Sequence, residues 1–377
     1  MSAPVCVDLF CGAGGLSTGL LDAGVAVRVG IDNDAPSVET FELNHRPRGA
    51  RGVRADVKAM TGADLRELAG GPIDLLAGGP PCQPFSVAGR RRGLDDIRGD
   101  LIFEFVRLLA ESEAEAFVFE NVPNLATVGG GEVVATLKRT LAEAGYSATD
   151  ATLFAADYGV PQMRKRLFVV GARDREISMP PEATHGVETS LFGVSPYVTA
   201  SEALDDLPDV EGPEADATPN HEPTFHGEQM LEVFATLEPG KRDPKSRHDR
   251  LHPDRLGYTL RAGTGNFSPL RPVHHRYDRV VSVRECARLQ SFLDTFIWPD
   301  TMARLQQYRQ VGNAVPPLLA KAVARHMAET MEWTLDPARF RVDEPPASAH
   351  LSLAERIERR QRFMRGGAAL VRAKTAA

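Results

Sequence analysis

Val5–Phe10 reads as a short apolar strand carrying one acid, Asp8, and it runs directly into Cys11-Gly12-Ala13-Gly14-Gly15. A helical pattern over Leu16–Ala23 follows. A strand, a glycine turn and a helix in that order constrain the backbone closely. The glycines admit close approach, and the helix start offers N–H groups that have no partner inside the helix. This is a nucleotide- or cofactor-binding geometry. The turn departs from the dinucleotide pattern GxGxxG, because Ser17 stands where the third glycine belongs. No second dinucleotide signal follows, so an oxidoreductase is the weaker reading.

A second apolar run, Ile73–Ala77, reads as a buried strand ended by Gly78-Gly79-Pro80-Pro81. Cys82 follows at once, which puts its thiol at the carboxyl end of a strand, where open α/β sheets keep their chemistry. A thiolate that adds to carbon 6 of a pyrimidine makes carbon 5 nucleophilic, and so splits one hard step into easier ones. A Pro-Cys pair alone is as often a buried, inert thiol. The longer stretch is more specific. Pro81, Cys82, Gln83, Phe85 and Ser86 resemble the nucleophile motif of the DNA cytosine-5 methyltransferases. Arg90, Arg91 and Arg92 follow in a basic loop, and with Ser86 they are the implied DNA contacts of this stretch.

The resemblance extends along the chain in the family's order. Asp8–Gly15 is similar to its first motif, which implies S-adenosylmethionine held by Phe10, Gly12, Ala13, Gly14 and Gly15. Val25–Ile31 reads as a second strand ending at Asp32, an acid well placed for ribose hydroxyls. Asp34 competes for that role, its ordinary role being a helix N-cap for Pro36–Asn44. Ile31 and Asn33 flank Asp32 where the family often has an aromatic residue. Val53–Val57 gives a third strand with Asp56, which by resemblance receives the adenine amino group. Pro81, Leu101 at the head of the helix Leu101–Leu109, and Asn313, Ala314 and Val315 complete the implied cofactor set. Asn313 reads as the N-cap of a long helix running to about Trp333.

Ala116–Glu120 reads as a strand ending in Glu120-Asn121-Val122. A lone glutamate is usually a surface residue. Glu-Asn-Val at this distance resembles the family's glutamate motif, which implies a carboxyl group at ring nitrogen 3 as carbon 6 is attacked. Between strands Ala148–Ala156 and Arg166–Gly171, alternation in an extended segment places Gln162, Arg164 and Arg166 on one face. This matches the family's Gln-x-Arg-x-Arg motif. It implies that Arg164 and Arg166 support the target base and its phosphate, with Arg166 at the ring carbonyl oxygen.

From about Asp174 to Asp278 prolines, glycines, histidines and charges dominate, which reads as a small, irregular, partly β domain. The resemblance makes it the target-recognition domain, and its Thr-Leu element adds Thr259 and Arg261 as implied DNA contacts. Arg284–Gln290 resembles the ninth motif, which braces that domain. The expected division is therefore 1–173 with 279–335 as catalytic domain, 174–278 as recognition domain, and 336–377 as a partly helical tail. The implied fold is α/β: a class I, Rossmann-like methyltransferase domain with a twisted, mostly parallel sheet, plus a small β-rich recognition domain.

The net charge of −7 argues superficially against a nucleic-acid partner. Its distribution argues back, since Lys241–Arg288 holds twelve Lys or Arg against five Asp or Glu, a surplus of seven. Such a face can steer phosphates although the whole chain is acidic. The four cysteines show neither zinc-like spacing nor a disulfide framework, and no signal pattern opens the chain, so a cytoplasmic, monomeric protein with reduced thiols is expected. The implied reaction takes a methyl group from S-adenosylmethionine to carbon 5 of a cytosine flipped out of double-stranded DNA. It leaves S-adenosylhomocysteine and needs no metal. A restriction endonuclease or other defence system is the expected genetic, rather than physical, partner. A transfer-RNA cytosine-5 methyltransferase and a catalytically silent DNA-binding homologue remain as alternatives.

Overall fold

The computed structural model describes residues 3–81, 101–187, 193–210, 212, 215, 217–262, 271–346 and 358. The chain forms two compact units: 1–158 with 165–184 and 314–342, and 159–164 with 185–313 and 343–377. This division cuts the chain at other places than the expected 174–278, and residues 279–313 go with the second unit.

The first unit is built from β1 (Val5–Leu9), α1 (Gly15–Ala23), β2 (Ala26–Asp32), α2 (Ala35–His45), β3 (Arg51–Arg54), α3 (Gly62–Ala69), β4 (Leu75–Gly78), α4 (Leu101–Ser112), β5 (Ala116–Asn121), α5 (Glu132–Glu143), β6 (Thr149–Phe154) and β7 (Lys165–Ala172). Among the described residues, seven strands form one sheet in the order β3-β2-β1-β4-β5-β7-β6. β1 to β5 pair in parallel, and β7 is antiparallel to both β5 and β6. β4 and β5 are buried along their whole length. That burial on both faces is why they read as unbroken apolar runs rather than as alternating ones. The core beneath α4 is aromatic: Phe105 meets Phe117 and Phe119 edge-on at centroid distances of 6.3 and 5.6 Å. The Tyr146 hydroxyl lies 2.7 Å from the Ala114 carbonyl, which satisfies its polar end inside that core.

The second unit carries α6 (Ala200–Leu204), α7 (Glu228–Thr236), α8 (Val283–Leu289) and α9 (Arg304–Asn313). Its described strands form two-residue parallel ladders, His185–Gly186 with Ser195–Pro196 and Asp249–Arg250 with Pro272–Val273. It is thus less β-rich than expected, because frequent prolines remove the N–H groups a longer ladder needs. A buried ion pair organises it. Arg279 donates to both oxygens of Glu285, at 2.8 and 2.9 Å, and Glu285 also closes a capping box with Ser282 at the start of α8. Burial raises the Glu285 pKa, but the Arg279 hydrogen bonds and charge outweigh it and hold the carboxyl at about 2.

α10 (Pro317–Met331) returns to the first unit. The expected single helix from Gln310 to Trp333 is therefore two. Asn313 is the last residue of α9, not an N-cap. Pro316 drives its predecessor out of the helical region, and Pro317 suits the first turn of the next helix. The expected strand Val53–Val57 is likewise shifted to Arg51–Arg54, and Asp56 instead caps a 3₁₀ turn by accepting the Lys58 N–H at 3.0 Å. No helix among the described residues is long and apolar enough to cross a membrane.

α1 and α10 approach closely because Gly15 and Gly19 lie one turn apart. A Cβ at Gly15 would stand 2.9 Å from Ala314 Cβ, and one at Gly19 would stand 2.5 Å from Ala320 Cβ and 2.8 Å from the Lys321 nitrogen. Backbone atoms cannot swing aside as a flexible side chain can. Gly19→Ala is therefore expected to destabilise the protein by about 1–3 kcal/mol, although alanine is the better helix former by about 1 kcal/mol. Gly227→Ala, where the added methyl meets nothing within 4 Å, is the control. Urea unfolding of both variants checks this, and equal stability of the two would refute it.

Candidate active site

The strand order reverses direction between β1 and β4: the chain proceeds from β1 outward to β3 on one side and from β4 to β5 on the other. A crevice opens at the carboxyl ends of such a pair. The register brings the loops together there. Leu9 pairs with Ile31 and with Gly78, and Gly78 pairs with Phe119. The residues that follow each of these, Phe10, Asp32, Gly79 and Glu120, therefore line one edge of the sheet.

The glycine loop turns sharply, with positive φ at Phe10 (57°), Gly12 (54°) and Gly14 (91°). Gly12 donates its N–H to Asp32 Oδ2 at 2.9 Å, and Asp34 donates its N–H to Asp32 Oδ1 at 2.9 Å. Asp32 thus braces the loop, while Asp34 accepts from the Ser37 N–H at 3.1 Å as the N-cap of α2. Ala13 is buried, Gly14 caps α1 and Gly15 begins it, against Ala314 and Val315. Leu101 opens α4 and packs against the core, and Pro81 is exposed. Asn313 is exposed and belongs to the second unit.

At the end of β5, Glu120 faces Arg166 of β7, with Oε1 2.8 Å from Nε; both side chains are about nine-tenths buried. Burial pushes the Arg166 pKa down, and the Glu120 charge opposes that. Two neighbours that sequence reasoning missed shape this corner. A Cβ at Gly79 would stand 3.0 Å from Glu120 Oε2, so the glycine leaves room for the carboxyl group. Asn121 donates from Nδ2 to the Pro80 carbonyl at 2.9 Å, tying the chain just before Cys82 to the end of β5. The Gly-Gly pair and the asparagine beside the glutamate were the available signals.

Arg164 and Arg166 do not share surroundings, contrary to the alternation argument. β7 begins only at Lys165, so the extended pattern does not reach back to Arg164. Arg164 is fully buried and donates to the carbonyls of Leu260 at 3.0 Å and Gly312 at 2.8 Å, all within the second unit. Gln162 accepts the Leu260 N–H at 2.9 Å beside it. Thr259 donates its hydroxyl to the Met163 carbonyl. Arg261 is exposed and lines a cavity of about 160 Å³ with Arg242, Tyr258 and Arg271. Cys82, Gln83, Phe85, Ser86, Arg90, Arg91 and Arg92 lie outside the described residues. Cys6, Cys11 and Cys286 are buried, and burial pushes each thiol well above its usual pKa.

The chain matches the C-5 cytosine-specific DNA methylase family over residues 5–329. It is 34% identical to the type II methyltransferase M.XorII of Xanthomonas oryzae, over 88% of this chain and 86% of that protein. It is 33% identical to the type II methyltransferase M1.HphI of Haemophilus parahaemolyticus, over 84% and 85%. Among solved structures, a candidate DNA modification methyltransferase encoded within an E. coli prophage superposes with a TM-score of 0.70 at 26% identity, covering 88% of this chain and all of that one. The Spodoptera frugiperda DNMT2 structure, at 14% identity, covers 86% of this chain and 99% of its own and shares the fold with a TM-score of 0.62. The chain belongs to the C-5 cytosine-specific DNA methylase family. It is a DNA cytosine-5 methyltransferase.

Methyltransferases of this family imply S-adenosylmethionine, whose sulfonium and amine are cationic. The residues at the strand ends fit such a ligand. Asp8 lies close enough to Asp32 and Glu120 for the charge of each to raise its proton affinity, after burial as the main cause. Asp8 is buried, accepts the Ser17 hydroxyl at 2.6 Å through Oδ2, and leaves its buried Oδ1 without a hydrogen-bond partner among the described residues. At Gly12, the place a Cβ would fill is open to 4 Å. Among the described residues no cluster of three or more His, Cys, Asp or Glu could hold a metal ion.

Burial raises the Asp8 pKa from 3.8 to about 7, partly offset by the Ser17 hydrogen bond. A carboxyl group raised in the folded state stabilises the fold fully below its unfolded pKa, and that contribution is lost as pH rises through the folded value. Asp8→Asn removes the loss. The stability of the variant relative to the parent is therefore expected to increase between about pH 4 and pH 7 and then level off. Urea unfolding of both proteins across that range measures the difference; a difference independent of pH would contradict it.

Proposed function

We propose that this methyltransferase moves a methyl group from S-adenosylmethionine to carbon 5 of a cytosine flipped out of double-stranded DNA, through a covalent Cys82 adduct at carbon 6. The Glu120–Arg166 pair carries this reading, because it sets a buried carboxyl group and a guanidinium beside the loop that leads to Cys82. The burial of the other three cysteines leaves Cys82 as the thiol suited to attack. S-adenosylmethionine, when bound, supplies an electrophilic methyl group on a sulfonium centre.

The chain's own residues divide the remaining work. The Cys82 thiolate adds to carbon 6. Glu120 holds a proton at ring nitrogen 3, which draws electrons from carbon 6 as the sulfur approaches. Arg166 orients Glu120 and faces the ring carbonyl oxygen. After carbon 5 is methylated it loses its proton to a base, the carbon–sulfur bond breaks, and the thiolate is regenerated. Phe10, Gly12–Gly15, Asp32 and Asp56 hold the cofactor, with Pro81, Leu101 and Asn313–Val315 completing the site. Arg164 supports the second unit from inside, a bracing role in place of the base contact its motif implied.

Target recognition falls to residues within 174–278, where the basic surplus of Lys241–Arg288, which overlaps the end of that stretch, suits a phosphate backbone. Ser86, Arg90–Arg92, Thr259 and Arg261 are the DNA contacts of this reading. The type II names of the relatives support a place in a restriction-modification system, with a cognate endonuclease as genetic partner. We take the protein to work as a cytoplasmic monomer.

Transfer of label from S-adenosylmethionine to duplex DNA, with transfer RNA in parallel, tests the substrate. Label in transfer RNA alone would overturn the DNA assignment. Cys82→Ser is expected to abolish both methylation and the covalent adduct with DNA containing 5-fluorocytosine, while cofactor binding survives. Glu120→Gln keeps the shape but cannot exchange the proton, and single-turnover methylation is expected to slow by about 10²–10⁴-fold. A wild-type single-turnover rate would reduce Glu120 to a structural role.

A further inference from the structure

His45, the last residue of α2, lies entirely buried beneath the glycine loop. Its ring stacks on Phe41 one turn earlier, with centroids 4.2 Å apart and planes 22° apart. Together the two rings fill the space behind Gly14. A Cβ at Gly14 would overlap His45 Cε1 and stand 2.8 Å from Nε2 and 2.9 Å from Phe41 Cδ2. The imidazole therefore presses on the Cα of the residue that turns the loop, at φ 91°, into α1.

Its polar atoms bind the same turn. Nδ1 lies 2.9 Å from the Phe41 carbonyl, which can only accept, so Nδ1 carries the proton. Nε2 is then an acceptor, 3.0 Å from the Thr18 hydroxyl. That hydroxyl's one proton is shared with the Gly14 carbonyl, 2.7 Å away, which also accepts the Thr18 N–H at 2.8 Å. Thr18 thus links the imidazole to the Gly14 peptide and to the first turn of α1. Burial first, then the Arg48 charge, holds the His45 pKa down at about 3, which agrees with a neutral ring.

We propose that His45 is a positioning residue for the cofactor loop, holding Gly14 and, through Thr18, the start of α1 in the form that receives S-adenosylmethionine. The proposal rests on the reading of the glycine loop as the cofactor site. The loop is then braced from two directions: Asp32 holds the N–H of Gly12, and His45 holds the back of Gly14. A loop already fixed in its binding form loses little freedom when the ligand arrives, and that freedom is what weak binders give up.

Calorimetry with S-adenosylmethionine on the full chain tests this, with folding checked by circular dichroism. His45→Phe keeps a ring on Phe41 but removes both polar contacts. It is expected to weaken binding roughly tenfold, the effect of one or two hydrogen bonds lost. His45→Gln, which can present an acceptor to Thr18, is expected to recover most of that loss. Thr18→Val removes the link alone and is expected to weaken binding about fivefold. In the double variant His45→Phe/Thr18→Val the loss should be no larger than in His45→Phe, because the two act through one contact. In each case the rate at saturating cofactor should fall less than the affinity. Unchanged affinity in a folded His45→Phe, or fully additive losses in the double variant, would overturn the proposal. If His45→Phe does not fold, unchanged affinity in Thr18→Val overturns it. Asp32→Ala separates the two levels: weaker binding there with normal binding in the Thr18 and His45 variants refutes only the role of His45. Normal binding in all of them refutes the loop as the cofactor site.

Discussion

β1 and β4 pair in parallel at the centre of the sheet, and the chain leaves this pair in opposite directions. Neighbouring connections cannot fill the space above the two strand ends, so a crevice remains. Every feature of the first unit's site depends on that gap. The glycine loop rises from β1 on one side of it, and Gly79–Pro81 rises from β4 on the other. The flanking strands β2 and β5 bring Asp32 and Glu120 to the same edge through nothing more than hydrogen-bond register. A one-residue slip in either pairing would turn those carboxyl groups to the other face.

The price of the site is buried charge. Asp8 and Glu120 are almost wholly inaccessible, and Asp32 is half-buried. A packed core would do better with apolar residues of the same volume. Part of the cost is offset locally: Ser17 serves Asp8, two backbone N–H groups serve Asp32, and Arg166 faces Glu120. The remainder is a negative environment at a strand-end crevice, which suits a cationic ligand. In the second unit the balance is different. Arg279 and Glu285 neutralise each other within one element boundary and also complete a helix cap, so their burial organises structure rather than leaving an unmet demand.

Missing side chains matter as much as present ones. Gly15 and Gly19 let α10 lie against α1, Gly14 lets His45 reach the back of the loop, and Gly79 leaves space for Glu120. Each of these glycines meets a partner distant in sequence. Gly14, Gly15 and Gly19 connect the glycine loop and α1 to α2 and α10, while Gly79 connects the end of β4 to β5, so both sides of the crevice are held by separate elements of the first unit.

The sequence by itself determined the strands β1, β2, β4, β5, β6 and β7, the glycine turn and the family. Short apolar runs ending in glycine or acid are local signals, and strands buried on both faces show them plainly. The tandem prolines at 316 and 317 were also local, and they account for the helix break that periodicity alone overlooked. Only the tertiary structure decided the rest. Alternation joined Arg164 to Arg166, but the strand starts between them, and the carbonyls of Leu260 and Gly312 draw Arg164 into the second unit. The roles of Asn121, Gly79 and His45 were equally hidden, since their partners lie 41 residues away for Asn121 and 27 for the His45–Thr18 contact. Periodicity reports which face of an element is apolar over a few turns. Which distant group a buried polar side chain meets is set by packing, and packing exists only once the chain has folded.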